Sequence, residues 1–250
     1  MPPLKPTQTV QLFVTCMVDA VRPEIGEATV AVLEAQGVKV EFPAAQTCCG
    51  QPAYNAGYRS EARAVAAHFL NVFDATSGPV VTPSGSCAAM VHHGFADLFG
   101  DDPVQLRRAQ AVAARTRELS QFLVHDLKVT NVGASFNGRI TYHPSCHQLR
   151  GLGEGTAPLA LLEQVAGSEL VPLAGAEECC GFGGLFSVKL PQVSGEMVAR
   201  KTANIDATGA AVCVTCDAGC LMNIAGRLQR EQKAVRCVHL AEVLAGSVPA

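Results

Sequence analysis

Cysteines at repeated spacings dominate the chemistry that this chain could do. An adjacent pair followed by glycine occurs twice, as Cys48-Cys49-Gly50 and as Cys179-Cys180-Gly181. One further cysteine precedes each pair and another follows it at matching distances, so the chain contains two sets of four thiols. Such sets indicate two soft-metal centres, because thiolates bind iron-sulfur clusters and zinc well. The predicted ligands are Cys16, Cys48, Cys49 and Cys87 in the first set and Cys146, Cys179, Cys180 and Cys220 in the second.

Glycines accompany both cysteine pairs. Two adjacent cysteines in an extended strand would point to opposite faces of the sheet, so their joint use at one centre requires a tight turn. Gly50 and Gly181 can adopt the backbone dihedral angles of such turns. Gly183 and Gly184 would let backbone amides approach the sulfides of a cluster. We therefore assign these four glycines to cofactor binding.

Three further cysteines lie outside the repeat. Cys213 and Cys216 have the Cys-x-x-Cys spacing that is common at metal sites, but their equivalents in the first half are not cysteines. They are candidate additional ligands of the second centre, and the alternative is that they are buried thiols. We interpret Cys237 as a small hydrophobic residue in a strand.

Four histidines stand close to predicted ligands in the sequence. Capping or solvent-facing roles are one interpretation, and a cluster ligand, a hydrogen-bond donor or a proton relay is the other. They are His92 and His93 after Cys87, and His143 and His147 on either side of Cys146.

Short strands alternate with helices in both halves, and the predicted cysteine ligands follow the strands. Strands are predicted at 10–14, 38–42 and 79–82, and the second half repeats this plan. Alternation of this kind indicates βαβ units, parallel sheets and right-handed crossovers. Ligands of such sheets bind beyond the carboxyl ends of the strands. We therefore predict an α/β fold of two tandem homologous βαβ modules, with the cysteines at the carboxyl ends of the strands.

The internal repeat also suggests where one module ends. A short Gly/Ser-containing stretch at 131–135 joins the halves, which places the first module at 1–133 and the second at 134–250. The segment 101–131 mixes charged and apolar residues at helical spacing and is predicted to close the first module as a helix.

Composition excludes several classes of function. Hydrophobic residues make up 48% of the chain and charged residues 16%, which is sufficient for a compact core. A formal charge of −3 and the absence of Trp argue against a nucleic-acid partner. Residues 1–6 lack the apolar segment of a signal peptide, and no apolar run is long enough to span a bilayer. We expect a cytoplasmic protein with reduced thiols and no direct membrane insertion.

The cysteine-bearing segments resemble the family with duplicated CCG cysteine-rich domains, which includes the CCG-domain subunit of heterodisulfide reductase and the iron-sulfur subunit of glycolate oxidase. The resemblance covers nearly the whole chain and is strongest to the lactate-utilization members of the family. The segments that carry it are 42–58 (FPAAQTCCGQPAYNAGY), 83–90 (PSGSCAAM), 142–150 (YHPSCHQLR), 179–189 (CCGFGGLFSVK) and 217–224 (DAGCLMNI).

The resemblance implies an iron-sulfur electron-transfer subunit of a multi-protein oxidoreductase that oxidises L-lactate to pyruvate. It implies one cluster in each module and two other lactate utilization subunits as partners, one of them a ferredoxin-like iron-sulfur protein. Catalysis by this chain alone is not expected. The heterodisulfide reductase member of the family ends each motif in Cys-x-x-Cys, and this chain has Ser84 and Asp217 in place of one thiol per half. The resemblance therefore does not imply that member's noncubane clusters or its disulfide chemistry.

Three alternatives fit the same cysteines. Zinc accepts four thiolates, so a non-enzymatic scaffold that docks partner proteins is the first. The equivalent subunit of a glycolate oxidase is the second. The third uses Cys48-Cys49 or Cys179-Cys180 as metal-free redox thiols.

Overall fold

Two four-stranded parallel sheets form the framework of the protein. The computed structural model describes residues 8–248. Its strands are β1 (Thr9–Leu12), β2 (Lys39–Glu41), β3 (Val80–Thr82), β4 (Thr116–Glu118), β5 (Ser135–His143), β6 (Ala166–Val171), β7 (Val212–Thr215) and β8 (Arg236–His239). The first sheet has the order β2-β1-β3-β4 and the second the order β6-β5-β7-β8, with every neighbouring pair parallel. The prediction of two tandem homologous βαβ modules is confirmed.

Helices connect successive strands and cover the sheets. They are α1 (Cys16–Val21), α2 (Pro23–Ala35), α3 (Gln51–Asn55), α4 (Arg59–Asp74), α5 (Gly85–Ala89), α6 (Phe95–Leu98), α7 (Pro103–Arg115), α8 (Leu119–Gln121), α9 (Ala157–Leu162), α10 (Leu185–Lys189), α11 (Pro191–Ala207), α12 (Ala218–Arg230) and α13 (Leu240–Leu244). Single π-helical turns occupy Met90–Gly94, Phe122–Asp126 and His147–Gly151. Such turns are frequent near functional sites.

The predicted single helix over 101–131 is wrong. The Asp102 side chain caps α7 as its sequence suggests, accepting hydrogen bonds from two backbone N–H groups at 3.1 Å. The helix ends at Arg115, however, and β4 follows it and pairs with β3. Three residues are too few to show the alternation of a strand, so pairing across the sheet decides their conformation.

The duplication extends to the ends of the modules. Both β4 and β8 lead directly into a short helix that begins with a capping box. Glu118 caps α8 in the first module, and His239 caps α13 in the second. The His239 Nδ1 accepts from the Ala241 N–H at 3.1 Å, so its Nε2 carries the proton and donates to the carbonyl of Pro83 at 3.1 Å. One end of the second module is thereby tied to the first.

The two modules share a hydrophobic core. One continuous cluster of buried side chains includes Val10, Ile25 and Leu119 from the first module and Ile140 and Leu240 from the second. Because α13 packs on α2, removal of either module would expose apolar surface of the other. The boundary predicted at residue 133 stays a prediction.

A buried glutamate also joins the modules. Glu118 of β4 is fully buried, and its Oε2 accepts hydrogen bonds from the Ser120 N–H at 2.8 Å and from Gln148 Nε2 at 3.1 Å. Its Oε1 has no hydrogen-bond partner among the described residues. Burial raises the pKa of Glu118 to about 7, against the opposing effect of these hydrogen bonds.

Stability is therefore expected to depend on the protonation of Glu118. An acid with a higher pKa in the folded than in the unfolded protein holds its proton more tightly when folded. Its contribution to the free energy of unfolding therefore falls as pH rises from 4.5, the ordinary pKa of glutamate, to about 7. Across this pH interval, we expect the free energy of unfolding of Glu118→Gln to rise by about 3 kcal/mol relative to that of wild type. Urea unfolding of both metal-free proteins at a series of pH values measures the difference. Glu177→Gln, at an exposed site, is the control, and parallel pH profiles for Glu118→Gln and wild type would refute the prediction.

No helix within residues 8–248 is long and apolar enough to cross a membrane. The segment 1–7, for which no signal sequence is predicted, lies outside the described residues, as do residues 249–250.

Candidate metal centre

All eight repeated cysteines line one cavity of about 560 Å³. Each module contributes its four from the loops and helix starts that follow the carboxyl ends of its first three strands. In a parallel sheet these ends lie along one edge, so distant cysteines meet. We expected one site in each module, and the structure shows that both sets of cysteines open into the same space.

The first set consists of two close sulfur pairs. The Sγ atoms of Cys16 and Cys48 are 3.4 Å apart, and those of Cys49 and Cys87 are 3.5 Å apart. Cys16 and Cys48 are half-buried, whereas Cys49 and Cys87 are buried. The Gly50 N–H donates to the Cys48 Sγ at 3.4 Å.

The second set repeats this arrangement. Cys146 and Cys179 are half-buried, Cys180 and Cys220 are buried, and the last two have their Sγ atoms 3.2 Å apart. The Gly181 N–H donates to the Cys179 Sγ at 3.3 Å. Two thiolates on one tetrahedral metal at about 2.3 Å would be separated by about 3.8 Å, so the sulfur pairs of both sets are close enough to share a metal.

The adjacent cysteines turn as their sequence predicts. Gly50 and Gly181 both have φ of 84°, in the left-handed region. Each begins a turn that brings its own N–H to the sulfur of the cysteine two residues before it. Gly183 and Gly184 also have positive φ and line the cavity. Cofactor binding by these four glycines stays a prediction.

The thiols within each set differ in pKa. Hydrogen bonds from Cys16 and Cys49 lower the pKa of Cys48 to about 3, and bonds from Cys146 and Cys180 lower that of Cys179 to about 2. The donor thiols themselves have raised pKa values, because each is hydrogen-bonded to a neighbouring thiolate and is at least half-buried. Each set thus favours one thiolate and resists further ionisation. A bound cation would reverse that resistance, which is the behaviour expected of a metal-binding thiol cluster.

Ser84 and Asp217, at the two positions that depart from the cysteine pattern, contact one another. Each caps a helix that bears a ligand: the Ser84 Oγ accepts from the Cys87 N–H at 3.2 Å, and Asp217 Oδ1 from the Gly219 N–H at 3.3 Å. Asp217 Oδ2 crosses to the first module, where it accepts from the Ser86 N–H at 2.9 Å and lies 3.5 Å from the Ser84 Oγ. These polar side chains fix the two modules against each other at the cavity wall.

Asp217→Ala is expected to lower the free energy of unfolding by about 2 kcal/mol, since it removes a helix cap and a buried hydrogen bond between modules. Urea unfolding of the metal-free protein measures this. Asp102→Ala removes two capping hydrogen bonds at α7 and none between modules, so a decrease of about 1 kcal/mol in the free energy of unfolding is expected for this control. An Asp217→Ala cost no larger than that of Asp102→Ala would show that the contact between modules contributes nothing.

The less certain cysteines lie apart from the cavity lining. Cys213 is buried in β7 opposite Cys237 of β8. Cys216 is buried with its Sγ 3.4 Å from the Tyr142 hydroxyl. Neither lines the cavity, so their role as additional ligands stays a prediction that the geometry does not favour.

The four histidines divide into two groups. His92 and His93 face backbone carbonyls, of Thr116 at 3.1 Å and Gly151 at 2.7 Å, which fits a structural role. His147 lines the cavity, with its Nδ1 3.6 Å from the Cys146 Sγ. His143 is fully buried, and its ring lies near Cys180 and Cys220.

Backbone strain next to the first ligand is a feature that sequence reasoning missed. Thr15 lines the cavity and has φ of 73° and ψ of 149°, a region that is essentially restricted to glycine. It immediately precedes Cys16 and is buried. The residue type carries no signal of this conformation, because threonine normally favours an extended strand.

The fold and the site together define a duplicated cysteine-rich domain protein. Residues 10–92 and 140–225 match the CCG cysteine-rich domain, and these matches cover more than half of the chain. The chain belongs to this family, as its cysteine-bearing segments predict.

Relatives of known name are similar over nearly the full length. The chain is 51% identical to lactate utilization protein A of Shouchella clausii and 53% identical to lactate utilization protein A of Geobacillus kaustophilus. Each comparison covers 94% of this chain and 98% of the relative. Among solved structures, a hypothetical protein from Helicobacter pylori has a TM-score of 0.67 at 10% identity, over 98% of this chain and 50% of that protein. The chain thus spans half of that protein, and the likeness concerns the fold alone.

Proposed function

We propose that the chain is an iron-sulfur electron-transfer subunit of a multi-protein oxidoreductase that oxidises L-lactate to pyruvate. The observation that carries the proposal is the placement of two equivalent four-cysteine sets around one cavity. The names of the relatives support lactate as the substrate of the system.

The donor set fits iron-sulfur clusters. Cys16, Cys48, Cys49 and Cys87 would hold one cluster, and Cys146, Cys179, Cys180 and Cys220 the other. A bound cluster would accept and release single electrons. The protein contributes the thiolates, and the N–H groups of Gly50 and Gly181 stabilise negative charge on sulfur.

Two electron carriers in one cavity suit the proposed reaction. Oxidation of L-lactate to pyruvate releases two electrons and two protons, so two one-electron centres would take up the electrons of one turnover. In this proposal the chain carries electrons, and the carbon chemistry takes place elsewhere in the complex.

An apolar rim suggests where partners bind. Tyr58 and Val188 line the cavity and are 55% and 73% exposed. Exposed apolar side chains at the mouth of a site are typical of docking surfaces. We assign this rim to the two other lactate utilization subunits, one of them a ferredoxin-like iron-sulfur protein.

Genetic complementation tests the proposed function. A bacterium that lacks its own lactate utilization protein A should regain growth on L-lactate when it expresses this chain, and the Cys180→Ser variant should not restore growth. Growth on glycolate, tested in a strain lacking the glycolate oxidase iron-sulfur subunit, separates the main alternative. Restored growth on glycolate but not on L-lactate would overturn the substrate assignment.

A zinc scaffold is the second candidate. The two sulfur atoms of each close pair are 3.2–3.5 Å apart, so both can bind the same metal ion. A zinc ion with four thiolate ligands also requires sulfur atoms that are this close together. Metal and sulfide analysis distinguishes this candidate from the iron-sulfur proposal.

A further inference from the structure

The two sets of cysteines are equivalent, but the side chains beneath them are not. Leu12 of β1 pairs with β3, and Tyr142 of β5 pairs with β7 in the same register. The residues that follow them, Phe13 and His143, therefore occupy equivalent positions in the two modules. The two CCG turns give a second equivalence. A Cβ built at Gly50 would touch Ala62 and Val65 of α4, and a Cβ built at Gly181 would touch Ser194 and Met197 of α11. The same register on α4 and α11 makes Phe69 equivalent to Lys201.

An aromatic pair in the first module is thus replaced by a polar pair in the second. Phe13 and Phe69 are fully buried, with ring centroids 4.8 Å apart in an edge-to-face arrangement. His143 and Lys201 are 0% and 1% exposed. Burial of two polar side chains is costly unless they have partners, so a reason for this replacement is required.

Lys201 has partners and His143 does not. The Lys201 ammonium donates to the carbonyls of Gly175 at 2.6 Å and Ala176 at 3.2 Å. Neither ring nitrogen of His143 makes a hydrogen bond among the described residues. One of them lies within 4.8 Å of the Sγ atoms of both Cys180 and Cys220. A buried imidazole with a free nitrogen thus stands beside the inner sulfur pair of the second set.

The chemistry of imidazole also suits a metal bound by thiolates. A neutral imidazole offers a lone pair, and nitrogen is a common partner of thiolate in metal sites.

We propose that His143 donates a nitrogen ligand to the metal that Cys180 and Cys220 hold, so that the second centre is a mixed thiolate–imidazole centre. The first centre, with Phe13 at the same place, has thiolate ligands alone. This inference rests on the proposed function. The positive charge of Lys201 interacts with Cys179 and Cys180 and would raise the potential of the second centre. Electrons that enter the cavity would therefore settle on the second centre.

Nitrogen hyperfine spectroscopy tests the ligand. The full chain is reconstituted anaerobically with iron and sulfide, and its oxidised and dithionite-reduced states are examined by pulsed EPR. We expect a coupling from a directly bound nitrogen in the wild type and its loss in His143→Phe, which introduces the residue of the first module. His143→Gln is measured alongside, so that a folding defect of one variant does not decide the result.

His147→Ala is the matched control, because His147 is the other imidazole at this set. It should keep the nitrogen coupling. A coupling that persists in both His143 variants, or that disappears in His147→Ala, would overturn the inference. A wild-type cluster without bound nitrogen would overturn it while leaving the proposed function intact. Wild-type protein that takes up no iron and sulfide would overturn both.

Discussion

Cys180→Ser is expected to remove the second centre and to leave the first one in place. The hydroxyl of serine is a poor ligand for iron, and Cys180 is a buried member of its set. We expect iron and acid-labile sulfide to fall by about half, because each set of four cysteines binds its own metal. Cys49→Ser should remove the first centre in the same way.

Cys237→Ser is the matched control for these variants. Cys237 is also a buried thiol of the second module, but it lies on β8 away from the cavity. The control should keep the full content of iron and sulfide. An equal loss in Cys237→Ser and Cys180→Ser would mean that folding, and not ligation, explains the effect.

Gly181→Ala is expected to destabilise the protein and to distort the second centre. The residue has φ of 84°, which costs an L-amino acid about 1–2 kcal/mol. Its Cβ would also lie 2.8 Å from the Ser194 carbonyl oxygen and 2.9 Å from the Met197 Cβ. Overpacking of this kind adds about 1–3 kcal/mol, so a total of about 3 kcal/mol is expected. Relief of the clash would move Cys179 and Cys180, so metal uptake should also fall.

A second glycine separates backbone strain from the clash. Gly57 has nearly the same φ, 83°, but a Cβ there would meet no atom within 4 Å. Gly57→Ala should cost about 1 kcal/mol and leave metal uptake unchanged. Urea unfolding and iron analysis of the two variants give the comparison. Equal costs at both positions would contradict the close packing described at Gly181.

The sheets and the positions of the cysteines could be predicted from the sequence for a physical reason. Apolar strands ended by turn residues are local signals, and parallel βαβ connection then forces their carboxyl ends to one edge. The distance between Cys16 and Cys87 along the chain is therefore no obstacle to predicting that they meet. The turn at Gly50 was also predictable, since adjacent cysteines must turn in order to act together.

Other features depend on contacts that no local pattern records. The sharing of one cavity follows from how the modules pack, and that packing depends on pairs such as Ser84 and Asp217, which are distant in sequence. β4 forms because β3 provides a partner, although its three residues continue a helical pattern. His143 is visible beside Cys146 in the sequence, but its burial without a hydrogen-bond partner is known only from the fold.

Metal analysis of anaerobically purified protein tests the central claim most directly. Iron, acid-labile sulfide and zinc are quantified per chain, and EPR spectra are recorded before and after dithionite. We predict stoichiometric iron and sulfide in two centres, with a signal that changes on reduction and is diminished in Cys49→Ser and in Cys180→Ser. Stoichiometric zinc without sulfide under these conditions would contradict electron transfer and establish the thiols as a structural zinc site.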